Sequence, residues 1–237
     1  MRVLVTRPEP DASILAEELC GLGHEPVLQP LLQLRTLDFD LKVLRAAQAI
    51  IITSSNSLRA IEGIPGLEDS AGVPLYCVGE ETARRAQATG FRNLLATAET
   101  AGQLAARVLS SARKDQLIVH ITGEHQAFDL AGALAREGLP IETLPVYSME
   151  TCRELSPSVD AMLKAGEIDG VILMSPRTAE TYVSLCHWHG MEECAKTPAY
   201  FCISENVAAK LASIKPDDVR VPAKPNRKAL LELLHAD

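Results

Sequence analysis

Ile50-Ile51-Ile52-Thr53-Ser54-Ser55-Asn56-Ser57-Leu58-Arg59 is the stretch on which the reading of the fold turns. Three β-branched apolar residues run into small polar ones, and a helical pattern follows. That order reads as a buried parallel strand, a turn with outward-facing hydroxyls and backbone N–H groups, and a helix start. A second copy stands at Val171-Ile172-Leu173-Met174-Ser175-Pro176-Arg177-Thr178. Two such turns in one chain point to two lobes presented to one ligand.

The alternation continues on both sides of this stretch. Val3–Thr6 reads as a strand. Asp11 reads as the N-cap of a helix with Ile14, Leu15, Leu19 and Leu22 at helical spacing, ended by Gly21 and Gly23. Pro26–Gln29 is a second strand, Leu31–Thr36 an extended connector and Leu41–Ala46 a short helix. A strand at Val73–Val78 precedes a helix at Glu80–Thr89. The chain turns at Gly90-Phe91, and a helix capped by Thr100 runs to Ser110. Leu117–Ile121 is a strand, Phe128–Glu137 a helix, Ile141–Leu144 a strand and Pro145–Thr151 a second extended connector. The last third reads as a helix from Ser156-Pro157, a strand at Val171–Met174 and a helix at Thr178–His187. A strand at Ala199–Ile203, a helix at Glu205–Ser213, a strand at Val219–Val221 and a helix at Asn226–His235 complete it. Strands alternating with helices predict an α/β fold of parallel sheets flanked by helices on both faces.

Composition agrees. The 237 residues suit one large or two small domains, and 47% are apolar while only 4% are aromatic, so the core must be Leu, Val, Ile and Ala. A net charge of −8 argues against nucleic acid or an anionic membrane as the main partner. It leaves room for a small anionic ligand met by local donors. No apolar run approaches the ~20 residues that span a bilayer. Met1–Arg7 enters a strand directly, without the apolar region of a signal peptide, so a cytoplasmic protein is expected. The six cysteines (Cys20, Cys77, Cys152, Cys186, Cys194, Cys202) form no C-x-x-C pair and read as reduced, mostly buried thiols.

The chain also echoes itself. Leu15/Leu130, Leu19/Leu134, Gly23/Gly138 and Pro30/Pro145 share one offset of 115 residues. Ile50–Arg59 resembles Val171–Glu180, and Pro74–Glu80 resembles Pro198–Glu205 with one extra residue. Matching Gly, Pro and Ser punctuation points to a structural duplication, each copy with a strand-end face able to bind a ligand.

Ligands of open parallel sheets sit outside the carboxyl ends of the strands. Six turns qualify: Thr6-Arg7-Pro8, Thr53-Ser54-Ser55-Asn56, Gly79-Glu80-Glu81-Thr82, Thr122-Gly123-Glu124, Ser175-Pro176-Arg177-Thr178 and Ser204-Glu205-Asn206. Most feed a helix N-terminus, where unpaired N–H groups favour anions. Their short hydroxyl and amide side chains suit hydrogen bonds to carboxylates or phosphates, although each could simply cap its helix. Arg7 and Arg177 stand out, because a cation in a first helical turn opposes the dipole and needs an anion, from a ligand or a neighbouring acid. Lys224 is a weaker candidate. Tyr147, in the second connector, is read either as an exposed phenol facing an interlobe cleft or as a packed residue. His120 reads as a satisfied core histidine. Cys186, His187, His189 and Cys194 suggest zinc less than a partly exposed helix end, since His187 and His189 face different ways. There is no G-x-G-x-x-G, Walker A, G-x-S-x-G or H-E-x-x-H pattern.

Taken in order, Val3-Leu4-Val5-Thr6-Arg7-Pro8, Gly23-His24-Glu25-Pro26, Thr53-Ser54-Ser55-Asn56, Val78-Gly79-Glu80-Glu81-Thr82-Ala83, Thr122-Gly123-Glu124, Pro145-Val146-Tyr147, Ser175-Pro176-Arg177-Thr178 and Ile203-Ser204-Glu205-Asn206 resemble the uroporphyrinogen-III synthase family over nearly the whole chain. The resemblance implies two similar α/β lobes joined by a two-stranded ladder. Residues 1–30 and 152–237 would form a discontinuous lobe, 37–144 the other, and 31–36 and 145–151 the connectors. It implies closure of the linear tetrapyrrole hydroxymethylbilane with loss of water and inversion of ring D, by a monomer using no cofactor or metal. Tyr147 matches a tyrosine that assists the departing hydroxyl, and Thr82 a threonine of a Gly-x-x-Thr-Ala turn; the second lobe has Ser204-Glu205-Asn206-Val207 instead. Arg7, Thr53, Ser54, Ser55, Asn56, Gly79, Thr82, Gly123, Ser175, Arg177, Ser204 and Asn206 are then the expected substrate contacts. The competing reading is a non-catalytic two-lobed binding protein for a small anionic metabolite. A flavodoxin-like or response-regulator module would need an acidic pocket or a flavin sandwich that the sequence lacks.

Overall fold

The computed structural model describes residues 1–126 and 128–235, and every count or absence below refers to these; residues 236–237, the end of the expected discontinuous lobe, lie outside them. In chain order the elements begin with β1 (Arg2–Val5), α1 (Asp11–Gly21), β2 (Glu25–Leu28), β3 (Leu32–Thr36), α2 (Lys42–Ala46), β4 (Ala49–Ile52) and α3 (Ser55–Ile61). There follow β5 (Leu75–Val78), α4 (Glu80–Thr89), β6 (Leu94–Ala98), α5 (Ala101–Ser111), β7 (Ile118–Gly123), α6 (Leu130–Arg136) and β8 (Ile141–Thr151). The chain closes with α7 (Pro157–Lys164), β9 (Gly170–Leu173), α8 (Pro176–Trp188), β10 (Ala199–Cys202), α9 (Glu205–Ala208), β11 (Asp218–Arg220) and α10 (Arg227–Glu232).

The chain divides into two compact units, Met1–Gln33 with Glu150–Asp237, and Leu34–Met149. In the discontinuous unit the strand order is β11-β10-β9-β1-β2, all parallel. Its sheet is covered on both faces. Leu4, Val171, Leu173, Tyr200 and Cys202 face α7 and α8, whereas Val3, Val5, Ile172 and Phe201 face Leu15 and Leu19 of α1 and Leu230 of α10. Each fully buried Leu or Ile contributes about 1.5–3 kcal/mol, which explains continuous apolar strands such as Val171-Ile172-Leu173.

In the continuous unit the order is β3-β8-β7-β4-β5-β6, with β8, β7, β4, β5 and β6 mutually parallel. Ile50, Ile52, Leu75, Cys77, Val119 and Ile121 face α3 and α4, while Ile51, Tyr76 and Ile118 face α5 and α6. Leaving β3 aside, the two sheets have the same order. β9, β10 and β11 take the places of β4, β5 and β6, and β1 and β2 take those of β7 and β8. The α/β fold with two helix-flanked parallel sheets is therefore as the sequence predicts.

Four local readings change. Leu94–Ala98 is an edge strand, where the sequence predicts only a turn before the next helix. Its pairing with β5 skips Leu95, and that irregularity breaks the alternation that would have marked it. The strand beginning at Ile141 does not stop at Pro145 but runs to Thr151. Its register shifts between Thr122↔Pro145 and Gly123↔Tyr147, and such an irregularity is where a strand tolerates proline. Asp11 is not the N-cap of α1: the cap is Pro10, and the Ser13 N–H is taken by the Glu9 carboxylate at 3.2 Å. The helix at Glu205 ends at Ala208 and tightens into a 3₁₀ turn over Ala209–Leu211.

Candidate functional site

Each sheet has a switch point, where connections leave to opposite sides and a crevice opens at the strand ends. In the continuous unit it lies between β4 and β7, and in the discontinuous unit between β9 and β1.

At the first, β4 delivers Thr53 and Ser54 and β7 delivers Thr122 and Gly123. Ser54 is extended (φ −148°) and its hydroxyl accepts from the Asn56 N–H, so it caps α3. Asn56 is engaged on its own helix, its Oδ1 accepting from Arg59 Nη1 at 2.7 Å. Ser55 and Thr53 are partly exposed. Thr53 Oγ1 lies 3.2 Å from His120 Nε2, a hydrogen bond that bridges β4 and β7. His120 is 1% exposed, its Nδ1 has no partner among the described residues, and burial pushes its pKa down to about 4. It is thus only half satisfied, which corrects the sequence reading.

Tyr147 lies in β8 opposite Gly123, and its carbonyl accepts from the Glu124 N–H at 2.8 Å. The ring covers Gly123: a Cβ there would stand 2.6 Å from the ring carbon Cζ and 2.9 Å from the phenol oxygen. Glycine is needed so that the ring can come this close to β7. Tyr147 is 9% exposed, so it is a packed residue and not an exposed connector phenol. Gly79 and Thr82 lie one strand further out, at the end of β5. Gly79 adopts φ +81° as the N-cap of α4, and Thr82 is buried against it. Gly79 also borders a surface hollow of about 730 Å³ with Glu80, Thr97 and Arg107.

At the second switch point, Thr6 is buried and donates to the Ile172 carbonyl at 2.7 Å, tying β1 to β9. Arg7 pairs with Asp11 on the first turn of α1 and places Nη1 3.3 Å from Met174 Sδ. A neighbouring acid therefore holds this cation near its helix N-terminus. Ser175 (φ −152°) caps α8 through the Thr178 N–H at 3.1 Å and exchanges a 2.7 Å hydrogen bond with the Thr178 hydroxyl. Arg177, half-buried, lines a groove of about 630 Å³ with Thr151, Arg153, Glu180 and Trp188. Ser204 precedes α9 without a side-chain cap bond, and Asn206 is exposed, one strand out at the end of β10.

Among the described residues no group of three or more His, Cys, Asp or Glu could hold a metal. His187 pairs with Glu192 and Ser213, and His189 with Asp160. No helix is long and apolar enough to cross a membrane. All six cysteines are free, and burial raises Cys77, Cys186 and Cys202 to about 12, leaving those thiols unreactive. Thr6 and Thr122 stand in two of the six turns that the sequence puts forward but not among the expected substrate contacts, and His120 reads there only as a core residue. Their signal was available in the last residues of each switch-point strand.

Two switch points of this kind, each with a capping serine and a buried threonine and one of them flanked by Arg7 and Arg177, sit on the ordered turns quoted from the sequence. Residues 13–232 match the family described as Uroporphyrinogen-III synthase HemD. The chain belongs to that family. A curated relative, the porphyrin biosynthesis protein HemD of Ruminiclostridium josui, is 22% identical over 195 residues, which cover 77% of this chain. The matched stretch spans only 39% of that relative's length. Among solved structures, the uroporphyrinogen-III synthetase of Helicobacter pylori superposes with a TM-score of 0.68 at 18% identity, covering 99% of this chain and 98% of that one. A mutant uroporphyrinogen III synthase from the extremely thermophilic bacterium Thermus thermophilus gives a TM-score of 0.54 at 15% identity over 100% of this chain and 98% of its own. At these identities the likeness to the two synthase structures is one of fold.

Proposed function

We propose that the chain is a cofactor-independent hydro-lyase that closes hydroxymethylbilane to uroporphyrinogen III, losing water and inverting ring D in tetrapyrrole biosynthesis. The observation that carries this reading is the family match over residues 13–232. The chemistry of the two switch points supports it. The substrate carries many carboxylates, and each unit offers neutral hydroxyls and helix N-terminal N–H groups at its strand ends. The discontinuous unit adds Arg7 and Arg177. Such donors bind carboxylates without supplying strong acids or bases.

The substrate closes unaided to the uninverted isomer, so the protein's task is conformational: rings A and D must be held so that the hindered carbon attacks. Loss of hydroxide gives an azafulvene, attack through ring D gives a spiro-pyrrolenine, and fragmentation with reclosure inverts the ring. Tyr147 assists the departing hydroxyl as a hydrogen-bond donor. Arg7, Thr53, Ser54, Ser55, Asn56, Gly79, Thr82, Gly123, Ser175, Arg177, Ser204 and Asn206 form the proposed contact set. Within it Ser54 and Ser175 act through the helix N-termini that they cap. We place the enzyme in the cytoplasm as a monomer, a state that light scattering after gel filtration checks.

Incubation with freshly generated hydroxymethylbilane, followed by oxidation and separation of the isomers, should yield the type III product. Type I product alone would sink the assignment. Tyr147→Phe should slow type III formation at unchanged folding stability, and full activity in that variant would remove the phenol from the mechanism.

A further inference from the structure

His120 and Thr53 have a built-in control in the other unit. His120 pairs in register with Ile51, and Val5 pairs in the same way with Ile172. Ile51 and Ile172 correspond in the two strand-turn-helix copies, so Val5 occupies the place of His120. Met174, two residues after Ile172, occupies the place of Thr53. Val5 is fully buried in the apolar cluster of its unit, and Met174 packs against that cluster. The scaffold is thus satisfied by an apolar pair where the continuous unit keeps a buried imidazole with an orphaned nitrogen. Folding does not call for that imidazole, because a half-satisfied buried polar group is costly.

We propose that His120 is a positioning residue that donates from Nε2 to the Thr53 hydroxyl oxygen, so that the hydroxyl's own proton points out of the strand end towards a ligand carboxylate. Burial keeps the ring neutral, so it carries one N–H. With the proton on Nδ1 that N–H would be buried without an acceptor, and Thr53 would spend its proton on Nε2. With the proton on Nε2 the donor is satisfied at 3.2 Å, and only a bare lone pair is left at Nδ1. Among backbone groups, orphaned buried N–H donors are rarer than under-satisfied acceptors, and the same preference favours the bare nitrogen here. The second tautomer alone leaves Thr53 able to donate.

This inference rests on the functional reading above, but its first test needs no substrate. Nitrogen NMR of the full chain with labelled histidine at pH 7, with the His120 signals assigned by their loss in His120→Leu, should show a protonated Nε2 and a bare Nδ1. A protonated Nδ1, or an imidazolium, overturns the proposal. In kinetics, His120→Leu should raise KM for hydroxymethylbilane about tenfold while kcat changes less than about twofold, the signature of a lost ground-state contact. His120→Gln, which restores an N–H donor, should recover most of that loss. Unchanged KM in the leucine variant, or no recovery by glutamine, also overturns it. Failure of the functional reading shows separately, as type I product from the wild-type chain.

Discussion

At its switch point the discontinuous unit carries Val5, Thr6, Arg7 and Met174, and the continuous unit carries His120, Ile121, Thr122 and Thr53 in the corresponding places. Around them the two units agree. Leu15 and Leu19 are buried as Leu130 and Leu134 are, and Ser54 and Ser175 cap the helices that follow the central strands. Gly23 and Gly138 end the corresponding helices at φ +82° and +84°. What is shared is what the scaffold requires: apolar strand interiors, capped helices and left-handed helix exits. What differs is the chemistry at the strand ends. One unit brings arginines to its two switch turns; the other brings a buried imidazole, neutral hydroxyls and a tyrosine.

The largest expected contrast is in acid stability. His120 is held near 4 when folded and returns to the ordinary 6.5 when unfolded, so above pH 6.5 it is neutral in both states and contributes nothing. As pH falls from 6.5 towards 4, the unfolded chain binds the proton first. Stability is then lost through this window, by up to about 3 kcal/mol. Val5 cannot titrate. His120→Val, which makes the continuous unit resemble the other, should therefore flatten the profile between pH 6.5 and 4 in denaturant titrations. An unchanged profile would mean that the imidazole is not held neutral.

Next in size is Gly123→Ala. The new Cβ would overlap the Tyr147 ring, so the ring must swing off β7. Overpacking of this kind costs about 1–3 kcal/mol. The variant should melt earlier and, on the proposed function, slow type III formation as is expected of Tyr147→Phe, and a melting temperature equal to the wild type would contradict the packing described.

The smallest contrast separates the two caps. Ser175 satisfies the Thr178 N–H and shares a hydrogen bond with the Thr178 hydroxyl, whereas Ser54 meets the Asn56 N–H alone. Ser175→Ala should cost about 1–2 kcal/mol and Ser54→Ala about 0.5–1. Equal losses in thermal melts would mean that the Ser175–Thr178 hydroxyl bond adds nothing.

Much of this was legible in one dimension because the forces involved are local. Three isoleucines followed by Thr53 and Ser54 specify a buried strand and a helix cap within a few residues of one another. Glu80–Thr89 is bounded in the sequence by Gly79 and Gly90, and it spans the same residues in the structure. β6 is not legible in the sequence, because an edge strand needs only one neighbour and Leu95, 53% exposed, interrupts its pattern. The sequence ends β8 before Pro145 because nothing local announces that the register shifts there.

By itself, then, the sequence determined the α/β class, the repeat and the polar turns. Apolar periodicity, helix caps and glycine exits are all written within a turn or two of chain. Only the tertiary structure decided which residues meet. It set β1 against β9 and β4 against β7, laid Tyr147 over Gly123 and brought His120 to Thr53. The last contact joins residues 67 positions apart. It depends on the register of two strands that are not consecutive, and register is set by the packing of the whole sheet.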